Sequence, residues 1–141
     1  MAAQPAISSL LLFENSLARI VQEADHLICV YWHAGLREEA GAQLVFQQVR
    51  TAQQQTGCTK LLMNEQLAGI FTEAAKAWLV ENWLPHLTRS GGFRHVACVL
   101  PTDVFARLSN VPVQVQAKSL HLPFQPFSSE AAARRWLHQQ P

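Results

Sequence analysis

The segment Lys60-Leu-Leu-Met-Asn64 is a short apolar run of the kind that forms a buried β-strand. It leads through Glu65-Gln-Leu-Ala-Gly-Ile-Phe71 into a long Trp-containing helix, predicted from about Thr72 to Thr88. In open α/β sheets, ligands and partners usually dock where the carboxyl end of a strand meets the start of a helix. We therefore place the predicted functional site at this junction, although it carries no nucleophile, metal-ligand cluster or glycine-rich phosphate loop.

The residues before this segment predict three strands and one helix. The strands are Leu10–Phe13, Ala18–Glu23 and Leu27–His33, and tight turns between them favour antiparallel neighbours. A helix with Glu38 and Glu39 in its first turn follows, and it ends at Gly57, which can adopt the left-handed conformation of a C-terminal cap. Its inward stripe consists of apolar residues at helical spacing, namely Ala42, Val45, Phe46, Val49 and Ala52.

The helix after Thr72 carries two tryptophans on different sides. Its predicted inward stripe is Leu79, Val80, Trp83 and Leu87, and Ser90-Gly-Gly92 is the predicted stop signal. Pro85 should remove the bond to the Glu81 carbonyl and bend the helix. At about 100° per residue, Trp78 lies roughly 160° from the centre of the stripe, so it is predicted to face away from this core.

The remainder of the chain predicts two strands and three further helical segments. A buried strand covers His95–Leu100, and Pro101-Thr-Asp103 then begins a helix with Phe105 and Leu108 turned inward. Val111–Ser119 fits either a strand, by alternation, or a helix with Pro112 in its first turn; we favour the helix. His121–Phe127 is predicted as an edge strand because it contains two prolines. Ser129-Glu130 opens the last helix, whose predicted inward residues are Ala133, Trp136 and Leu137.

With the two helical segments between residues 100 and 121 counted as one, the resulting order is βββαβαβαβα. This order predicts an α/β fold with a mixed, largely parallel central sheet of about five to six strands and helices packed on it. Residues 1–141 form one predicted domain, with residues 1–7 as a flexible N-terminus.

Composition narrows the class of function. Charged residues make up 15% of the chain, and eleven basic and ten acidic residues give a net charge of +1. No Lys/Arg block could neutralise several phosphates, so a nucleic-acid partner is not expected. There is no apolar run of about 20 residues and no signal peptide, which predicts a cytoplasmic protein without a membrane span. Cys29 and Cys98 lie in apolar strands and Cys58 follows a helix end, a spacing that matches no zinc or redox motif.

A family resemblance is carried by three segments: Trp78-Leu-Val-Glu-Asn-Trp-Leu-Pro-His-Leu87, Gly91-Gly-Phe-Arg-His-Val-Ala-Cys-Val-Leu-Pro101 and Val104-Phe-Ala-Arg-Leu108. They resemble the bacterial STAS-like domains, which are small relatives of the anti-sigma-factor antagonists. The resemblance covers about residues 8 to 139 and implies a signalling or ligand-sensing module with no cofactor. In the antagonists, a serine just after the strand equivalent to Lys60–Asn64 is phosphorylated by a partner kinase. Here that neighbourhood is Asn64-Glu-Gln-Leu67, without a hydroxyl before Thr72.

Catalytic patterns are weak in this sequence. None of the six histidines forms a metal-binding pair at helical spacing, and His33, beside Glu38 and Glu39, is best interpreted as a surface residue. Glu65 and Glu73 could act as paired carboxylates. The simpler expectation is a solvated Glu65 and a Glu73 placed in the first helical turn. Thr72 is expected to cap that helix.

The strongest functional signal at the junction is apolar. A surface connection that carries Leu67, Ile70 and Phe71 needs either intramolecular packing or a partner to cover it. The predicted binding residues are Asn64, Glu65, Leu67, Ile70, Phe71, Thr72 and Trp78. The first hypothesis is a non-enzymatic STAS-like regulatory module that binds a protein partner or forms a homodimer. The alternative is a protein that binds an apolar or lipid-like small molecule in a pocket between sheet and helices. An enzyme is a third and weaker hypothesis, because the sequence shows no set of catalytic residues.

Overall fold

Within the described residues, six strands form a single sheet in the order in which they occur in the sequence. The computed structural model describes residues 9–87 and 92–141. The strands are β1 (Leu10–Glu14), β2 (Ala18–Glu23), β3 (Leu27–Trp32), β4 (Lys60–Asn64), β5 (His95–Val99) and β6 (Phe124–Phe127). The α-helices are α1 (Glu39–Thr56), α2 (Glu73–Trp78), α3 (Val104–Ser109), α4 (Val111–Ser119) and α5 (Glu130–His138). The predicted N-terminus at residues 1–7 lies outside the described residues.

The sheet is antiparallel at one end and parallel at the other. β1, β2 and β3 pair antiparallel, whereas β3, β4, β5 and β6 pair parallel. This confirms the predicted mixed, largely parallel sheet. It also brings the carboxyl ends of the four parallel strands to one side of the sheet, which we call the carboxyl edge, together with the loops that leave it.

Two cores lie on opposite faces of the sheet because alternate strand residues point to opposite sides. In β4, Leu61 and Met63 join the larger core, and Leu62 joins the smaller one. The larger core contains the predicted α1 stripe, Ala42, Val45, Phe46, Val49 and Ala52, all buried. The smaller core is covered by α5 through Ala133 and Leu137, while Trp136 is half-buried against it.

The residues predicted to end helices, to begin them or to mark an edge strand act in those roles. Gly57 follows α1 at φ 69°, in the left-handed region. Ser129 caps α5 by accepting a bond from the Ala132 N–H. β6 is an edge strand, and its solvent side offers few donors, since Pro126 has no N–H and the Phe124 N–H bonds to the Leu122 carbonyl.

The helix after Thr72 departs from the prediction of one bent α-helix. α2 ends at Trp78, a π-helical turn spans Leu79–Trp83, and a 3₁₀ turn spans Leu84–His86. The Leu84 N–H bonds to the Leu79 carbonyl, five residues back. The change in hydrogen bonding thus begins one turn before Pro85. The predicted stop at Ser90-Gly91 lies outside the described residues.

The π turn also corrects the predicted position of Trp78. Trp78 is half-buried and packs on the larger core, with its ring 6.1 Å from that of Phe46. Trp83 packs on the same Phe46 ring at 4.7 Å. The prediction assumed about 100° per residue throughout, whereas a turn closed by i→i+5 bonds brings residues five apart closer to one face.

α4 is helical, as favoured, but the predicted orientation of α3 is wrong. Ala106 is the buried residue of α3, whereas Phe105 is 76% exposed and Leu108 63% exposed. Around a helix, these two residues lie about 100° and 160° from Ala106. A helix of six residues that buries a small side chain therefore turns its large apolar side chains to solvent.

No helix in the described ranges combines the length and apolar character needed to cross a bilayer.

Candidate functional site

The loops at the carboxyl edge are joined by backbone hydrogen bonds. The Arg37 N–H donates to the Ile70 carbonyl at 2.8 Å, and the Thr72 N–H donates to the Arg37 carbonyl at 3.0 Å. On the other side, the Thr102 N–H and hydroxyl both donate to the Gln66 carbonyl, at 3.2 and 2.9 Å. The loop after β4 is thus tied to the loops after β3 and β5, and the three form one surface.

A buried polar cluster lies under these loops. Arg37 Nη1 is 2.6 Å from Glu65 Oε1, and Asn110 Nδ2 donates to the same oxygen at 3.3 Å. The other carboxylate oxygen, Oε2, accepts from the Cys98 thiol at 2.8 Å. All four residues are buried. Burial and the neighbouring Glu65 carboxylate raise the pKa of the Cys98 thiol well above its usual value, so the thiol stays protonated.

Arg37 is held by aromatic rings as well as by Glu65. Its guanidinium carbon lies 3.5 Å from the centre of the Phe71 ring and 4.9 Å from that of Trp32. Its Nε donates to the Gly69 carbonyl at 3.0 Å. A side chain at Gly69 would collide with the Gly35 carbonyl, which explains why glycine stands where the two loops meet. A completely buried guanidinium with these contacts fixes the loops relative to each other.

A small cavity of about 70 Å³ lies beside the polar cluster, between the sheet and the helices of the larger core. Its walls are mainly apolar and include Leu61, Met63, Leu79, Val96, Val113 and Ala117. Glu65, Cys98 and Asn110 form its polar end, and Gln114 of α4 also lines it.

Exposed apolar side chains cover the outside of the same edge. Leu67 is 68% exposed, Ile70 40% and Val104 59%. Together with Phe105 and Leu108 they form what we call the edge surface. They lie on the loop after β4 and on α3, and the Thr102–Gln66 bonds join the loop after β4 to the segment that leads into α3. Patches of exposed apolar residues are typical of interaction sites, whereas single ones are common anywhere.

The structure divides the predicted binding residues into two groups. Leu67 and Ile70 are exposed on the edge surface. Phe71, which is 5% exposed, packs inside with Trp32 and Phe46, and the half-buried Trp78 joins them. The predicted outer surface of Phe71 and Trp78 is therefore corrected, because the chain itself covers most of both side chains.

The polar members of the predicted site, Asn64, Glu65 and Thr72, are bonded to other residues of the chain. Glu65 is buried and paired, so the expectation of a solvated Glu65 is wrong. Glu73 lies in the first turn of α2, with Lys76 at 2.5 Å, as expected for an exposed carboxylate. The Thr72 hydroxyl caps α2 by accepting from the Ala75 N–H at 3.2 Å, which confirms its predicted role. Asn64 is buried, and its amide donates to Glu130 at 2.7 Å.

Sequence reasoning missed Arg37, Asn110 and the outward face of α3. Arg37 has no pattern that distinguishes it from a surface arginine, and Asn110 resembles an ordinary helix-end residue. Both acquire their role from Glu65, which is 28 and 45 residues away respectively.

A second ionic cluster lies on the opposite face of the sheet. Arg134 of α5 pairs with Glu23 at 2.7 Å and with Glu130 at 2.9 Å, and it donates to the Tyr31 hydroxyl at 2.8 Å. The hydrogen bond from Arg134 lowers the pKa of Glu23, and burial raises the pKa of Tyr31. These contacts fasten α5 to β2 and β3, a structural role.

The described residues hold no group of three or more His, Cys, Asp or Glu that could bind a metal ion. His33 pairs with Glu14 at 3.3 Å, rather than with Glu38 or Glu39, and its side chain is 37% exposed.

The strand order, the helices on both faces and the loops gathered at the carboxyl edge define a mixed α/β domain. No protein-family model matches the chain, and no curated protein sequence matches it. Solved structures do match. An anti-sigma factor antagonist from Mycobacterium paratuberculosis shares 13% identity at a TM-score of 0.55, over 99% of this chain and 100% of its own. The unphosphorylated form of the anti-sigma factor antagonist SpoIIAA shares 10% identity at a TM-score of 0.54, over 94% and 100%. The chain thus has the STAS fold that these antagonists share.

Proposed function

We propose that this protein is a non-enzymatic STAS-like regulatory module that binds a protein partner through the edge surface. The observation that carries the proposal is the exposure of Phe105, at 76%, together with that of Leu67 and Leu108 on the segments that follow β4 and β5. Large apolar side chains that folding leaves exposed stabilise a complex when a partner buries them. The stabilising free energy is about 25 cal/mol per Å² of buried apolar area. Aromatic side chains are enriched among the residues that dominate such interfaces.

The matched structures support a partner of this type. Both are anti-sigma factor antagonists by name, which are proteins that act on another protein. We infer that this chain also recognises a protein partner, in the cytoplasm and without a cofactor. The partner should present an apolar surface, because the five exposed side chains of the edge surface are all apolar.

We also propose that the protein is not switched by a phosphoserine at this junction. Residues 64–71 contain no hydroxyl, and the first one, on Thr72, accepts the capping bond from Ala75. Control by partner concentration or by a ligand would replace the phosphoryl switch.

Site-specific photo-crosslinking tests the proposed interface. A benzoylphenylalanine replaces Phe105 in cells, and the crosslinked protein is identified by mass spectrometry and then purified. The control carries the same group at Gln54, an exposed residue of α1. We expect one partner from position 105 and none from position 54, followed by loss of binding to that partner in Phe105→Ser and Leu67→Ser.

A second copy of this chain is a separate outcome of the same experiment. Crosslinks between copies at position 105, with a dimer mass in analytical ultracentrifugation, would assign the edge surface to a homodimer. Equal crosslinking from positions 54 and 105, or unchanged binding by both serine variants, would refute the proposed interface.

A further inference from the structure

The cavity beside Glu65 has an apolar body and one polar end. Its walls come from the sheet, from the π turn and from α4, and the residues Leu61, Val96, Val113 and Ala117 are among them. With a volume of about 70 Å³, it is close to half the size of an engineered cavity of about 150 Å³ that binds benzene.

The polar end is almost completely used by the protein itself. Oε1 of Glu65 accepts from Arg37 and Asn110, and Oε2 accepts from Cys98. Among the residues that line the cavity, the exception is the carbonyl oxygen of Asn110, which is buried and has no partner among the described residues. Nη2 of Arg37 is likewise buried without a partner there, but Arg37 does not line the cavity. Asn110 is 4% exposed and lines the cavity. A buried acceptor without a donor has lost the hydrogen bond that water would give it, so it favours a bound molecule that supplies the donor.

We propose that this cavity is a binding site for a small neutral molecule with an apolar body of a few carbon atoms and a single hydrogen-bond donor, such as a short branched alcohol. The donor bonds to the Asn110 Oδ1, and the carbon atoms contact the apolar walls.

Charged ligands do not fit the same site. The Glu65 carboxylate is already paired with Arg37, so a cation would be buried without a free counter-charge, and an anion would lie against the carboxylate. An acceptor-only molecule of equal size would leave two acceptors, its own and Asn110 Oδ1, facing each other.

The site is separate from the edge surface, although Asn110 connects α3 to α4 directly behind it. Ligand binding therefore does not depend on whether the edge surface recognises a protein, and each proposal can fail alone.

Titration of the purified full chain by NMR tests the proposal. The matched probes are 2-methyl-1-propanol and 2-butanone, which have five heavy atoms each, the first with a donor and the second with an acceptor alone. We expect saturable binding of the alcohol with contacts to the Val113 and Leu61 methyl groups, and binding of the ketone weaker by about tenfold, the value of one hydrogen bond.

Two variants locate the binding. Ala117→Leu fills the cavity and should abolish alcohol binding, whereas Asn110→Leu keeps the shape and should reduce the alcohol to the affinity of the ketone. The wild-type contacts to Val113 and Leu61 decide the location if either variant fails to fold. Equal affinity for the two probes, no saturation by the alcohol up to 10 mM, or ordered water on Asn110 Oδ1 that the alcohol does not displace would each overturn the proposal.

Discussion

Arg37 and Glu65 form a buried ion pair, 2.6 Å from Nη1 to Oε1, that joins the loop after β3 to the loop after β4. The pair is enclosed by the Phe71 and Trp32 rings on one side and by Asn110 on the other. It therefore lies at the centre of the carboxyl edge, beneath the edge surface and beside the cavity. The pair thus fixes the loop after β4, which carries part of the edge surface, and the Glu65 carboxylate, which lines the cavity.

Removal of one member of the Arg37–Glu65 pair should lower the free energy of unfolding substantially. Arg37→Met leaves the Glu65 carboxylate buried without its cation and should lower the free energy of unfolding by about 3–5 kcal/mol. Urea denaturation measures the change. The double variant Arg37→Met/Glu65→Leu should recover part of this loss, because it leaves no unpaired charge. A loss below about 1 kcal/mol in Arg37→Met would show that the pair is solvated.

Substitution of two phenylalanines near this edge should affect the stability of the protein very differently. Phe71 is 5% exposed, and Phe71→Ala should cost about 3–5 kcal/mol of stability. Phe105 is 76% exposed, and Phe105→Ser should change stability by no more than about 0.5 kcal/mol. Thermal unfolding of the two variants side by side provides the comparison. A large loss in Phe105→Ser would place this residue in the core and remove it from the edge surface.

Cys98→Asp should unfold the protein more readily than any neutral change at that position. The new carboxylate would face Glu65 Oε2, which is now 2.8 Å from the thiol, and should cost of order 3 kcal/mol or more. Cys98→Ala is the matched control and should cost about 1 kcal/mol. An unchanged melting temperature in Cys98→Asp would contradict the central position of β5.

The Glu23–Arg134 pair should make stability depend on pH. Since Arg134 lowers the pKa of Glu23, the carboxylate stabilises the folded state above the unfolded pKa of about 4.3, and this contribution is lost as the pH falls through the folded pKa. Glu23→Gln should thus cost about 2 kcal/mol at pH 7 and much less near pH 3. Glu14→Gln, at an exposed pair with His33, is the control and should cost little at either pH. Denaturation curves at the two pH values check the difference.

Thr72 should act as a cap and not as a phosphorylation site. Thr72→Ala should cost about 1 kcal/mol, and Thr72→Ser should retain most of the stability because its hydroxyl can accept the same bond from Ala75. Phosphopeptide mapping from cells should find no stoichiometric phosphate at this position. A stoichiometric phosphothreonine would contradict both the capping role and the proposed absence of a phosphoryl switch.

The amino-acid sequence by itself determined the strands, the long helix and the mixed sheet. β2 and β4 have the predicted bounds, the α1 stripe is buried as its spacing indicates, and Gly57 and Pro126 act at the positions that their backbone chemistry requires. These features depend on neighbours within a few residues, where periodicity and end signals are informative.

Only the tertiary structure decided which faces are covered. Phe105 and Phe71 are both phenylalanines near a helix start, yet one faces solvent and the other packs on Arg37, because packing of α3 and of the loop after β4 depends on distant elements. Trp78 was misplaced because the π turn changes the angle per residue. The Arg37–Glu65–Asn110 cluster joins residues up to 73 positions apart in the chain. Contacts over such separations leave no periodic signal in the chain, since each is selected by the fold as a whole.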